Sequence, residues 1–156
     1  MKTKVYLETT IPSYLTASSS RDLVLAAHQQ ITREWWDLRS RFDLFISQVV
    51  LQEIASGDEE AAAKRLQLVQ DIPVLQLTEE VRAFARELLK QKALPMQAAV
   101  DAVHVAVAVV NGMDYLLTWN CTHIANATIR NKIEHVCRSK GYEPPVICTP
   151  EELLEG

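Results

Sequence analysis

Four oxygen-bearing side chains could do chemistry together: Glu8, Glu53, Asp101 and Asn120. Asp101 is the most demanding of them. It lies in a stretch from Met96 to Asn111 that is almost wholly apolar, where only Asp101 and His104 ionise. A carboxylate among valines and alanines is costly to desolvate unless something pairs with it. Either His104, a turn away, satisfies Asp101, or a metal ion does, with His104 supporting from behind. Glu8 directly follows the apolar run Lys4–Leu7, and Asn120 follows Tyr115–Trp119. Glu53 belongs to a short amphipathic segment, Gln48–Ala55. Carboxylate and amide oxygens from four separate segments suit a hard cation such as Mg2+ or Mn2+ better than zinc. His28, His104, His123 and His135 show no HxxxH spacing, and Cys121, Cys137 and Cys148 form no CxxC pair, so neither zinc nor a disulfide framework is indicated.

The elements that must position these residues can be read from periodicity. Strands are expected at Lys4–Leu7, Leu44–Ser47, Val74–Leu77, Tyr115–Trp119 and Val146–Cys148. Pro12 marks a helix start or turn after the first. Leu23, Ala27, Ile31, Trp35, Leu38 and Phe42 lay one stripe along a helix from Asp22 to Arg41. A short helix at Gln48–Ala55 ends at Gly57, and Ser56 with Glu59 form a capping box for a helix reaching Gln70. Thr78 caps a helix through Gln91, broken by Pro95. The Met96–Asn111 segment, with Val100, Val103, Val107 and Val110 on one stripe, is a buried helix closed by Gly112. Asn126–Lys140 is stopped by Gly141, and Thr149, Pro150 and Glu152 start a terminal helix.

Short, continuously apolar strands alternating with helices predict an α/β fold: three layers, with a central, mostly parallel sheet of about five strands. In such sheets ligands bind beyond the carboxyl ends of the strands, which is where Glu8 and Asn120 fall. The 156 residues suit a single domain spanning 1–156, and 48% hydrophobic with 23% charged residues is ordinary globular usage. MKTKVYLETT is too short and polar for a signal peptide, and no apolar run is long enough to span a bilayer, which points to the cytoplasm. The net charge of −4 argues mildly against a nucleic-acid partner, unless a bound cation neutralises the acids where a substrate sits. Local basic pairs exist at Arg39/Arg41, Lys64/Arg65, Arg82/Arg86 and Arg130/Lys132.

Four segments carry a resemblance through nearly the whole chain: YLETT after the first strand, SQVVLQEI after the second, DAVHVAVA in the buried helix and LLTWNCTHIAN after the next strand. They resemble PIN domains, and among these the VapC-like toxins of prokaryotic toxin–antitoxin pairs. The D-A-x-H-x-A core at Asp101–Ala106 and the L-x-T-W-[DN]-x-x-H segment ending at His123 are the most specific parts. The resemblance implies a three-layer PIN-like fold in which Glu8, Glu53, Asp101 and Asn120 bind Mg2+ or Mn2+. Thr9 and Thr118 match hydroxyl positions flanking the site, with His104, His123 and Asn126 as neighbours. Two departures stand out: most members carry Asp in place of Glu8, and many carry Asp in place of Asn120. Glu8 sets its carboxylate about one methylene further out, and Asn120 removes one negative charge, which should weaken the ion.

What the resemblance implies is a metal-dependent endoribonuclease acting on RNA, the toxin of a pair with an antitoxin protein as its partner, and a homodimer or higher homo-oligomer associating through the Trp35–Trp36 helix or the Glu79–Gln91 helix. A metal- or RNA-binding module with little turnover, inactivated by Glu8 and Asn120, is the alternative, as is housekeeping RNA processing. An unrelated phosphate-handling α/β protein would need the paired aspartates or P-loop that this sequence lacks.

Overall fold

The structure is a computed structural model describing residues 1–154. Five strands, β1 (Thr3–Leu7), β2 (Phe42–Ser47), β3 (Val74–Leu75), β4 (Tyr115–Leu117) and β5 (Val146–Cys148), form one sheet in the order β3-β2-β1-β4-β5. Every pairing is parallel. The chain lays strands outward from β1 through β2 to β3, then returns to the other side of β1 with β4. The strand order therefore reverses between β1 and β4, and a crevice opens at their carboxyl ends. Register places Leu7 opposite Leu117, so Glu8 and Thr118 leave the sheet side by side, and Glu8 N–H donates to Leu117 O at 3.1 Å.

Among the described residues seven α-helices accompany the strands: α1 (Thr10–Thr16), α2 (Leu23–Trp36), α3 (Gln48–Ile54), α4 (Glu59–Val69), α5 (Glu79–Lys90), α6 (Ala99–Val110) and α7 (Ala127–Ser139). The buried centre joins Val5, Tyr6 and Leu7 of β1, Leu116 and Leu117 of β4, and Val105, Ala106 and Val109 of α6. Strands covered on both faces cannot alternate polar and apolar residues, which explains their continuous apolar runs. Among the described residues no helix is long and apolar enough to cross a membrane.

Several boundaries differ from the sequence expectation, each for a local reason. The predicted Asp22–Arg41 helix stops at Trp36, and Arg39–Arg41 form a separate 3-10 turn before β2. Its buried face is also not the predicted stripe. Leu23 is 86% exposed, while Gln29 and Thr32 are buried beside Trp35. Gln29 is satisfied by Ser18 O and Ser20 N, and Thr32 by His28 O and the Trp119 indole, so polar side chains occupy that face without loss. Trp35 is enclosed, whereas Trp36 is half-buried under the Arg39 guanidinium at 4.6 Å.

The cap of α4 is Asp58, whose carboxylate accepts from Ala61 N–H at 2.9 Å, not Ser56. Ser56 instead donates back to Glu53 O, in the turn that Gly57 ends with φ +84°. The apolar helix opens with a 3-10 turn at Met96–Ala98, and Val100 on its expected stripe is 51% exposed. Strand β4 ends at Leu117: Thr118 N–H still donates to Cys148 O at 3.0 Å, but the Trp119 and Asn120 N–H groups turn to side-chain hydroxyls. At the C-terminal end, Pro150–Leu153 is a 3-10 turn with the Glu152 carboxylate accepting from Thr149 N–H at 3.0 Å.

Candidate active site

The carboxyl edge of β1 is built by YLETT. Glu8 is 4% exposed, and its Oε1 accepts three hydrogen bonds: from Thr10 N–H (3.0 Å), the Thr10 hydroxyl (2.5 Å) and the Thr118 hydroxyl (2.7 Å). Among the described residues Oε2 accepts none and is free for a ligand. Thr10 also accepts from Trp119 N–H at 2.9 Å, and Thr118 accepts from Asn120 N–H at 2.9 Å. These two hydroxyls thus clamp the β4 exit to the β1 exit. Trp119 is fixed in turn by its indole N–H on Thr32 and by stacking on His28, with centroids 4.1 Å apart.

Helix α3 brings Glu53 in from the β2 side. Its Oε1 accepts from the Thr9 hydroxyl at 2.5 Å and lies 2.7 Å from His104 Nε2 on α6. The His104 bond, reinforced by Thr9, holds the Glu53 carboxyl below the usual glutamate range, against the opposing effect of partial burial. His104 is 1% exposed, and its other ring nitrogen is 2.7 Å from the Tyr6 hydroxyl. Tyr6 also meets Ser47 Oγ at 2.8 Å, and burial pushes its phenol far above the ordinary range.

Asp101, in the first turn of α6, is half-buried. Oδ1 accepts from Asn120 Nδ2 and Oδ2 faces His123 Nδ1, each at 3.1 Å. Asn120 Oδ1 accepts from His123 N–H at 3.0 Å, so the loop after β4 folds over Asp101. His104 therefore serves Glu53 rather than Asp101, whose own histidine is His123. Asn126 is used differently from its neighbours: its Oδ1 caps α7 by accepting from Thr128 and Ile129 N–H. Two amides at that helix start are thereby committed.

All four expected site residues thus lie in one hydrogen-bonded assembly, running from Asp101 through Asn120, Thr118 and Glu8 and, via the neighbouring Thr9, to Glu53 and His104. Among the described residues no three His, Cys, Asp or Glu side chains are drawn together as a ready-made metal cage. The donor set still fits Mg2+ or Mn2+, which keep several waters and need only one or two direct carboxylates. The residues that sequence reasoning missed are Thr10, Tyr6 and Ser47. A second threonine in YLETT signalled Thr10, but nothing in the sequence distinguished Tyr6 from a core aromatic. The two buried thiols are poor nucleophiles: burial pushes Cys137 up to about 11 and Cys148 up to about 12.

The fold recurs in known structures. VapBC2 from Rickettsia felis, bound to a DNA fragment from their promoter, superposes with a TM-score of 0.60 at 17% identity, covering 94% of this chain and 98% of that one. VapC20 from Mycobacterium tuberculosis, a sarcin-ricin loop cleaving toxin, gives the same TM-score and identity, covering 76% and 91%. No curated protein sequence matches the chain. The profile of the PIN domain matches residues 5–120, a span that runs from inside β1 to Asn120 and so includes Glu8, Glu53 and Asp101, and the chain belongs to the PIN domain family.

Proposed function

We propose that this protein is a Mg2+- or Mn2+-dependent endoribonuclease, the toxin of a toxin–antitoxin pair. The observation that carries the proposal is the chain of contacts at the strand ends where the sheet order reverses: Asn120 bonds Asp101, Thr118 bonds Glu8 and receives Asn120 N–H, and Thr9, next to Glu8, bonds Glu53. Family membership supports it, as does a fold shared with a toxin that cleaves the sarcin-ricin loop.

Glu8, Glu53 and Asp101 would hold the cation, directly or through water, with the Asn120 amide beside them. Once bound, the ion would supply positive charge for a scissile phosphate and a water of lowered pKa. The chain's own part is orientation. Thr10 and Thr118 fix one oxygen of Glu8 and leave the other free. Thr9 and His104 do the same for Glu53. His123 and Asn120 pin both oxygens of Asp101, so this carboxylate must release one partner to ligate directly, or ligate through water. Asn126 acts as a helix cap and leaves phosphate orientation to other donors.

The experiment is cleavage of a structured RNA by the purified protein with Mg2+, with Mn2+ and with EDTA, alongside Asp101→Asn. Metal-dependent cleavage leaving 5′-phosphate ends, lost in the variant, is expected. Equal cleavage by both proteins, or cleavage in EDTA, would refute the proposal. An antitoxin partner, supported by the VapBC2 likeness, a homo-oligomer and a cytoplasmic location belong to the same reading. Co-purification with the product of an adjacent small gene tests the first.

A further inference from the structure

Behind the site a line of hydrogen bonds begins and ends on α3. Ser47, the N-cap of that helix, accepts from Val50 N–H at 3.4 Å, and its Oγ lies 2.8 Å from the Tyr6 hydroxyl. The Tyr6 hydroxyl is 2.7 Å from His104 Nδ1, and His104 Nε2 is 2.7 Å from Oε1 of Glu53, near the other end of α3. Ser47 and Tyr6 are fully enclosed and His104 nearly so.

Counting protons limits how this line can run. A carboxylate only accepts, so the ring proton of His104 must sit on Nε2 to satisfy Glu53. In a neutral imidazole Nδ1 is then an acceptor, and the single proton of Tyr6 must point to it. The phenol oxygen accepts in turn from the Ser47 hydroxyl. The opposite direction, with Tyr6 donating to Ser47, would demand a second proton on an enclosed ring.

We propose that Tyr6 is a positioning residue: its hydroxyl donates to Nδ1 of His104, which together with Glu53 fixes the Nε2–H tautomer and holds the ring against Oε1 of Glu53, leaving Oε2 free for a cation. The proposal rests on the nuclease reading only in treating Glu53 as a ligand. A relay that starts at the N-cap of α3 and returns to the same helix also ties the angle of that helix to β1 and α6. Partners of this kind behind metal ligands typically change affinity by roughly 10- to 100-fold when removed.

The test begins with long-range 1H–15N NMR of the metal-free protein, above the ordinary histidine titration range. One protonated ring nitrogen on His104, Nε2, is expected; a proton on Nδ1, alone or together with Nε2, would overturn the proposal. That measurement stands even if Tyr6→Phe fails to fold. In folded Tyr6→Phe, where Glu53 still demands the Nε2 proton but the ring has lost its second anchor, an Mn2+ affinity lowered by about 10-fold is expected, read by titration without RNA. Unchanged affinity in the variant would equally overturn it. Because neither readout uses catalysis, a wild-type protein that fails to cleave RNA would sink the nuclease reading while leaving this one to its own result.

Discussion

Glu53 is the residue whose ionisation the surrounding structure controls most visibly. Its carboxyl lies below the ordinary value of 4.5, first because of the His104 bond. A depressed carboxyl pKa stabilises the fold above the unfolded value, and that contribution is lost as pH falls through the folded value. Glu53→Gln should therefore flatten the acid side of the stability–pH profile, with wild type losing its relative advantage only below 4.5. Because the side chain is 39% exposed, solvent weakens the effect, and the carboxyl titration followed by NMR is the sharper readout. A Glu53 that titrates at 4.5 or above would contradict the geometry. Asn120 permits a second prediction. Asn120→Asp replaces a donor to Asp101, 3.1 Å away, with a like charge. In EDTA the variant should lose about 1–3 kcal/mol from the broken bond and the repulsion. Mn2+ should then raise its Tm by more than it raises that of wild type, since the added charge strengthens ion binding. Equal Mn2+ shifts in the two proteins would mean that position 120 lies outside the ion's reach. Glu8, Asp101 and Asn120 stand out in the sequence because each follows a strand or lies in an apolar helix where a polar group needs a reason, whereas Glu53, in a short amphipathic segment, enters the candidate set only through their company. Their pairing was not legible. His104 and Asp101 share one helix and invite pairing, but only the tertiary structure brings Glu53 to the one and His123 to the other.

Elements were read best where one strong local signal decided them. Asn126, Thr78 and Asp22 each cap a helix, and β5 was expected over the residues it occupies. Errors arose where tertiary bonds compete with periodicity. Leu23 continued an apolar stripe yet faces solvent, while Gln29 and Thr32 went inside because partners awaited them on the Ser18–Ser20 loop and on Trp119. Helix α1 was visible only as the proline signal at Pro12, since its cap, Thr9, has its hydroxyl committed to Glu53. Ser47 shows how an element and the site share one residue. Ser47→Ala removes the cap of α3 and also the hydroxyl that donates to the enclosed Tyr6 oxygen, leaving that acceptor unsatisfied. Loss of a cap costs about 1 kcal/mol, and an unsatisfied buried group about 1–3 kcal/mol more. Urea denaturation should show a lowered midpoint at unchanged m-value; a loss within 0.5 kcal/mol of zero would mean that neither bond matters to the fold.

At the scale of the molecule, the acidic total conceals a local basic surface. A groove between the end of α5, the turn leading into α6 and the start of α7 is lined by Lys90, Lys92 and Lys132 with Leu94, Met96 and Ile129, and by no acid. Helix α6 runs back toward the start of β4 and α7 departs from its end, so both helices begin at the carboxyl edge of the sheet. The groove therefore opens on the same edge as Asp101, whose helix it borders. An RNA strand whose scissile phosphate sits at the acidic cluster would meet these lysines with its neighbouring phosphates, and cation release would make binding salt-dependent. For single strands each neutralised phosphate contributes about 0.7 to the slope of log affinity against log salt. Lys92→Gln combined with Lys132→Gln should lower that slope by about 1.4 and raise KM, while kcat at saturation stays near the wild-type value, because neither side chain touches the reacting phosphate. Fluorescence anisotropy of a labelled RNA across a salt series measures the slope. An unchanged slope would send the strand across another face, where Arg130, held on Ile147 O at 3.1 Å, is the nearest basic alternative on α7.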